Sequence, residues 1–552
     1  MLEEKIYTDK NYLFIFKGVA KELIKVTIYG NLKRVFSSVL FWFISIFLIS
    51  LLPRIMNLDE PGLTWDEPAY IEASKIYINS IFGARFFDAS VWKPNWEHPP
   101  MAKYLIGISL AFFEPFGFSE VTAARIPNTI LGSLTCSLLY LFLRNAYGNS
   151  VSILASLSLS FLPRFFAHTR YAALDAPETF FAVFSIYIFQ KWMKTRRLKW
   201  AIVSAFLLGI AFSVKISALS LPFIFLMWTI TTCWRRCSKM ERKNLFCLLF
   251  HALLFLLVTS ITFILSWPLL WIDPAHIIRY LTFHVHHFNI PVYYLGEVHQ
   301  RAPWHYPFIM LSVTTPVLTL LTAIFGCIHA FKNALKKCEN NTFILLLLWL
   351  TLALLRVSAS YGYDGVRLFL DALPALTSLS AIGAVQFTQF LHRFFKFTLK
   401  NKDSKLIFFS ILSSLIITSE VYACIITHPY ETSYYSEITM MSGGVKLFEK
   451  IYWGEVYKEV VEWLESQAPG AEVIIPIAAH LARYYAKTIK VRDSIYEVSE
   501  NKSVYFAFQA REGFYFDPLI HFCLKNLKPI HVVKVNNIII AYIFELKISP
   551  ND

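Results

Sequence analysis

Apolar residues fall into eleven runs, near 36–52, 121–143, 150–167, 177–193, 199–213, 217–232, 246–266, 307–330, 342–360, 368–388 and 405–426. Each predicts a helix that crosses a bilayer, for which roughly 20 residues are needed. A twelfth stretch, 101–116 (MAKYLIGISLAFFEPF), is also apolar. At 1.5 Å per residue it reaches only about 24 Å, short of the roughly 30 Å hydrocarbon core.

The charges between the runs decide its placement. With eleven crossings, the basic arm 1–35 and the basic loops Lys191–Lys199, Arg235–Lys243, Lys332–Lys337 and Arg393–Lys405 all fall on one side, as the positive-inside bias requires. A crossing at 101–116 would put four of these loops outside. That segment is therefore expected to be an interfacial or re-entrant helix on the outer side. The N-terminal arm with the first run is expected to be a retained signal anchor. Arg125, Arg164, Glu178, Arg356, Asp371 and Glu420 all fall at the outer ends of their runs. Charges in or near hydrocarbon are costly and mark cavities or functional sites.

Past Thr427 the apolar runs stop. Helix 456–466, strand 472–476, helix 478–486, strand 504–509, helix 518–525 and a hairpin at Asn536 and Asn537 predict a compact α/β unit. Three regions follow: a cytoplasmic basic arm (1–35), a transmembrane catalytic domain (36–427) with a large outer loop (54–120), and an extracytoplasmic α/β domain (428–552). The fold class is thus a polytopic α-helical membrane protein with a small C-terminal α/β domain.

Composition agrees. The 552 residues are 56% hydrophobic and 17% aromatic, too apolar for a soluble chain of this length. The net charge of +14 sits in short loops between apolar runs and excludes a nucleic-acid partner, which needs a basic face on a folded domain. The 8 cysteines are scattered, and Cys233 and Cys237 lack the further ligands of a zinc site.

Candidate chemistry is concentrated in Leu63–Lys103, which contains WDEPAY and EHPPMAK. Asp66 and Glu67 could open a helix at Pro68, or act as base or ligand in an outer cleft. Pro99 and Pro100 fix the backbone after Glu97 and His98. Arg125 and Lys215 lie where cations would meet a phosphate; snorkelling is the plainer reading of Lys215. Arg367, in YGYDGVRLF, could add to phosphate or acceptor binding. Glu97 with one of His284, His286 and His287, here His287, would make a partial oxygen and nitrogen site for a divalent metal.

The order WDEPAY, EHPPMAK, TAARIPNTILGSLT, RYAALDAPETFF, FSVKISAL, PVYYLGEVHQRAPWHYP resembles the GT-C glycosyltransferases of the protein O-mannosyltransferase type, related to the aminoarabinose transferases of lipid A. The resemblance implies a sugar donor on a dolichyl or undecaprenyl phosphate and an inverting transfer to an acceptor hydroxyl on a lipid, glycan or protein at the extracytoplasmic face. It makes Asp66 the general base and Glu67 its neighbour in the catalytic motif. It places His98, Arg125, Asp175, Lys215 and Arg367 around the donor's phosphate and sugar. No cofactor is required by it, and a metal stays open. No insertion is large enough for the luminal domain of classical eukaryotic members, which counts against protein Ser/Thr as acceptor. The competing classes are a secondary transporter, which predicts paired repeats and polar groups at mid-membrane, and a non-catalytic scaffold of the cell envelope.

Overall fold

The computed structural model describes residues 38–236, 242–286, 289–335, 342–360, 362–394, 402–498 and 503–547. The N-terminal arm and His287 lie outside them. Helices cover the described part of each of the eleven apolar runs. The second and third runs are separate helices that meet at Gly148, whose φ of 78° breaks the helical path within Glu120–Phe161, and the third run closes with a further short helix, Pro163–His168. The run 307–330 divides into Tyr306–Val313 and Val317–Leu335. Pro316 stands between them, and a proline is unsuited to a helix interior. Among the described residues, five helices are long and apolar enough to cross a membrane: Glu120–Phe161, Val317–Leu335, Thr342–Ala359, Arg367–Leu391 and Lys405–Thr427. Shorter apolar helices include Val39–Ile55, which packs on Glu120–Phe161, and Leu198–Phe212, which packs on Asp175–Thr195 and Arg242–Ser266.

Small residues bring helices together where apolar burial alone gives little preference in lipid. A Cβ on Gly326 would lie 1.9 Å from the Leu379 carbonyl oxygen, and one on Gly383 would lie 1.8 Å from that of Thr322. Val317–Leu335 and Leu373–Phe394 therefore touch backbone to backbone. Charged side chains inside the bundle are matched by polar atoms. The Arg54 guanidinium donates to Thr169 Oγ1 (2.9 Å), Ser50 O (2.8 Å) and Ser160 O (2.6 Å), and Glu420 accepts from Ser158 and Thr319.

Above one end of the bundle, helix Glu67–Phe82 packs against helix Met101–Phe113. The latter buries Ala102, Ile106 and Leu110 and exposes Ile108 and Phe112, a one-sided pattern that suits a helix lying at an interface. A short hairpin, β1 (Val292–Tyr294) and β2 (Glu297–His299), turns at Leu295 and Gly296, both with positive φ.

The C-terminal unit is built on a five-stranded sheet. Its strands are β3 (Glu472–Ile474), β4 (Lys490–Arg492), β5 (Ser503–Gln509), β6 (His531–Val535) and β7 (Ile538–Lys547), in the order β4-β3-β5-β7-β6. β3 runs parallel to β4 and β5, whereas β5, β7 and β6 are antiparallel. Asn536 and Asn537 take φ of 44° and 64°, the left-handed pair that a two-residue hairpin turn demands. Strand β4 was not expected: three residues, KVR, carry too little alternation to register.

Candidate active site

Helix Glu67–Phe82 starts beside Pro68, and Asp66 takes its N-cap position without capping it. The carboxylate turns away to a cavity, where Asp66 Oδ2 accepts from the Arg367 guanidinium and from Trp453 Nε1 (3.2 Å). The helix-start reading of the pair is thus true of the backbone and silent on the side chain. Glu67 takes the opposite course. It is fully buried, and its carboxylate meets Arg125 through Nε and Nη2, each at 2.7 Å. Glu67 also accepts from the Ala172 and Thr64 amides. Arg125 spends its remaining donors on the carbonyls of Leu58, Pro61 and Gly62. The expectation that Arg125 meets a phosphate therefore differs from its placement. Its guanidinium is 0% exposed and joins the segment Leu58–Glu67 to helix Glu120–Phe161 behind the cavity wall.

The cavity has a volume of about 860 Å³. Asp66, His98, Lys215 and Arg367 line it, together with Glu97, Asp364 and Arg511. Asp175 stands just behind. It accepts from Lys215 Nζ at 2.5 Å and from Arg367 Nε at 3.3 Å. Arg367 is the hub: Asp66, Asp175 and Asp364 (2.8 Å) all accept from it, and its guanidinium lies 4.3 Å from the centre of the Trp453 ring. Such stacking and forked donation are properties of arginine that lysine lacks. A second cation, Arg356, is held in the wall by Asp371 (2.8 Å) and the Leu368 carbonyl.

His98 packs between the rings of Tyr70 and His284, each about 6.0 Å away. Burial, reinforced by the nearby Lys103 ammonium, pushes its imidazole well below the usual range, so the ring is neutral at physiological pH. Lys103 Nζ in turn donates to the His98 carbonyl (2.7 Å) and fixes the turn. Glu97 accepts from Asn95 Nδ2 at 2.7 Å. Its expected metal partner His287 lies outside the described residues, and among the described residues no three His, Cys, Asp or Glu side chains are grouped to hold a metal ion.

The cavity is lined by both charged and apolar residues. Leu219, Phe223 and Leu355 line it while being 43%, 59% and 43% exposed. Phe223 lies on helix Ser220–Arg236 and Leu355 on helix Thr342–Ala359, and these two helices pack against each other. Three contributors escaped the sequence reading. Asp364 sits in a quoted motif, and its Asp-Gly turn, with φ of 52° and 60°, was the available signal. Trp453 and Arg511 come from beyond the last apolar run, and nothing in a single sequence links them to Asp66.

Residues 97–267 match the family model described as dolichyl-phosphate-mannose-protein mannosyltransferase. An uncharacterized protein of Aquifex aeolicus is 32% identical over 102 residues, 18% of this chain and 19% of that one. YkcB of Bacillus subtilis, which bears a provisional mannosyltransferase name, is 25% identical over 176 residues, 32% of this chain and 23% of its own. The match thus spans under a quarter of each curated relative. Among solved structures, ArnT of Cupriavidus metallidurans in the apo state aligns with 95% of this chain and 98% of its own at 12% identity, with a TM-score of 0.49. The family match over residues 97–267, taken with the ordered motifs and the helical membrane fold, supports a GT-C glycosyltransferase.

Proposed function

We propose that the protein transfers a sugar from a polyprenyl-phosphate donor to an acceptor hydroxyl at the extracytoplasmic face, with the N-terminus cytoplasmic, eleven crossings, and the unit 428–552 on the outside. The observation that carries this reading is the mixed lining of the cavity. In this reading Leu219, Phe223 and Leu355 receive the prenyl tail, and Lys215, Arg356 and Arg367, which line the same cavity, are donors suited to a phosphate. The matched family description names a dolichyl-phosphate sugar, which has these two parts.

In the proposed reaction Asp66 takes the proton of the acceptor hydroxyl. The acceptor oxygen bonds to the anomeric carbon from the face opposite the phosphate. The bond from that carbon to the phosphate oxygen breaks, and its electron pair leaves on the polyprenyl phosphate, next to Lys215 and Arg367. Arg367 keeps the Asp66 carboxylate oriented, Asp175 fixes Lys215 and Arg367, and neutral His98 offers a donor or acceptor to the sugar. Glu67 and Arg125 hold the loop that carries Asp66. No step is assigned to a metal.

Purified protein incubated with radiolabelled dolichyl- or undecaprenyl-phosphate sugars and membrane extract should label an acceptor. Asp66→Asn should lower that labelling at least 100-fold with the protein still folded. Undiminished labelling by Asp66→Asn would remove Asp66 from the chemistry.

A further inference from the structure

Arg511 belongs to the C-terminal unit, two residues after the end of β5, yet its side chain is 4% exposed and lines the cavity. Its Nη2 donates to Asp364 Oδ1 at 2.9 Å, and its Nη1 donates to the Tyr452 carbonyl. The other oxygen of Asp364 accepts from Arg367 Nη1 at 2.8 Å, and Arg367 donates to Asp66. Four buried or half-buried side chains thus run without a gap from the C-terminal unit to the candidate base. Trp453, from the same unit, closes the figure: its ring faces the Arg367 guanidinium, and its Nε1 donates to Asp66.

This arrangement does more than join two parts of the chain. Asp364 is shared, one oxygen to each arginine, so its orientation is set from both sides. Without Arg511 the carboxylate keeps a single arginine and is free to rotate. Arg367 would then be held on that side by a carboxylate with no fixed direction, while Asp175 pulls on its Nε. Phe514 and Trp65 lie 4.0 and 5.6 Å from the Arg511 guanidinium, which fixes the plane of the fork as well as its position. Two donors fixed in one plane for two acceptors, together with stacking, are what a lysine cannot reproduce.

We propose that Arg511 is a positioning residue: through Asp364 it holds Arg367 in register with Asp66, so that the C-terminal unit makes the cavity competent for transfer. The proposal rests on the glycosyltransferase reading for its kinetic part and on geometry alone for its structural part.

The experiment uses the full-length protein in lipid nanodiscs, labelled with 5-fluorotryptophan. The 19F signal of Trp453 is assigned by its loss in Trp453→Phe. Arg511→Met and Asp364→Asn should each displace that signal, and the double variant should displace it no further, since both break one chain. Arg511→Lys should give an intermediate displacement. In transfer assays Arg511→Met should lower kcat roughly 10- to 100-fold, as misplacement of a reacting group does, with less than about a twofold change in the donor KM. Asp364→Asn keeps the test valid should Arg511→Met fold poorly. A Trp453 signal unmoved by both single variants overturns the proposal, and so does a displaced signal with unchanged kcat. If the unsubstituted protein transfers no sugar while Trp453 still answers to Arg511, it is the glycosyltransferase reading that falls, and the structural part stands.

Discussion

Glu67 and Asp66 are adjacent, and folding sends them to opposite ends of the energetic scale. Glu67 is enclosed with Arg125 and three amide or hydroxyl donors, whereas Asp66 keeps a side chain 27% exposed to the cavity. Removing one partner of a closed pair strands the other in a medium that solvates it poorly. Arg125→Met should therefore destabilise the protein by about 3–5 kcal/mol, seen as a lowered thermal-unfolding midpoint in detergent. A second titrating group lies at the seam with the C-terminal unit. Burial pushes Glu449 up to about 8 from an ordinary 4.5, against the pull of Arg511. Its folded value exceeds the unfolded one, so its contribution to stability is complete below about pH 4.5 and is lost as pH rises through about 8, at about 1.4 kcal/mol per unit. Glu449→Gln should flatten the fall in unfolding midpoint between pH 5 and pH 8. An equal fall in both proteins would show that Glu449 does not titrate in this window.

Helices were the most legible elements because their apolar runs are long and the intervening loops are charged. Where the reading slipped, a local interruption was responsible: Pro316 divides a helix that hydropathy alone averages over. Strand β4 was invisible because three residues at a sheet edge need neither alternation nor strong propensity. The site divided along the same line. Asp66, Asp175, Lys215 and Arg367, named from motifs, converge within hydrogen-bonding reach. Arg125 shares their motif order but faces away, since a motif records which residues occur and not which way a buried fork points. At the element scale the contact between helices Val317–Leu335 and Leu373–Phe394 is the most exacting. Gly383→Val would place carbon against the Thr322 carbonyl, and overpacking of this kind costs at least about 1–3 kcal/mol. We expect a loss of monodisperse protein on size-exclusion chromatography, with Gly383→Ala milder than Gly383→Val.

For the molecule as a whole, among the described residues the cations that line the cavity are each answered by a carboxylate: Lys215 by Asp175, Arg356 by Asp371, Arg511 by Asp364, and Arg367 by three. Such a set is stable without a ligand, and an arriving phosphate must compete for donors already engaged. The proposed topology puts this set and the C-terminal unit on one side of the membrane. A reporter fused after Asp552 should therefore be active outside the cell and silent inside; the reverse would separate the unit from the outer face. The exposed apolar side chains Leu219, Phe223 and Leu355 at the cavity also bear on how the molecule would be supplied. A substrate entering there travels in the plane of the bilayer and never through bulk water, so its effective abundance is a mole fraction among lipids. Turnover would then follow the crowding of the surrounding leaflet: diluting the vesicles leaves the rate per protein unchanged, and adding inert lipid to them slows it.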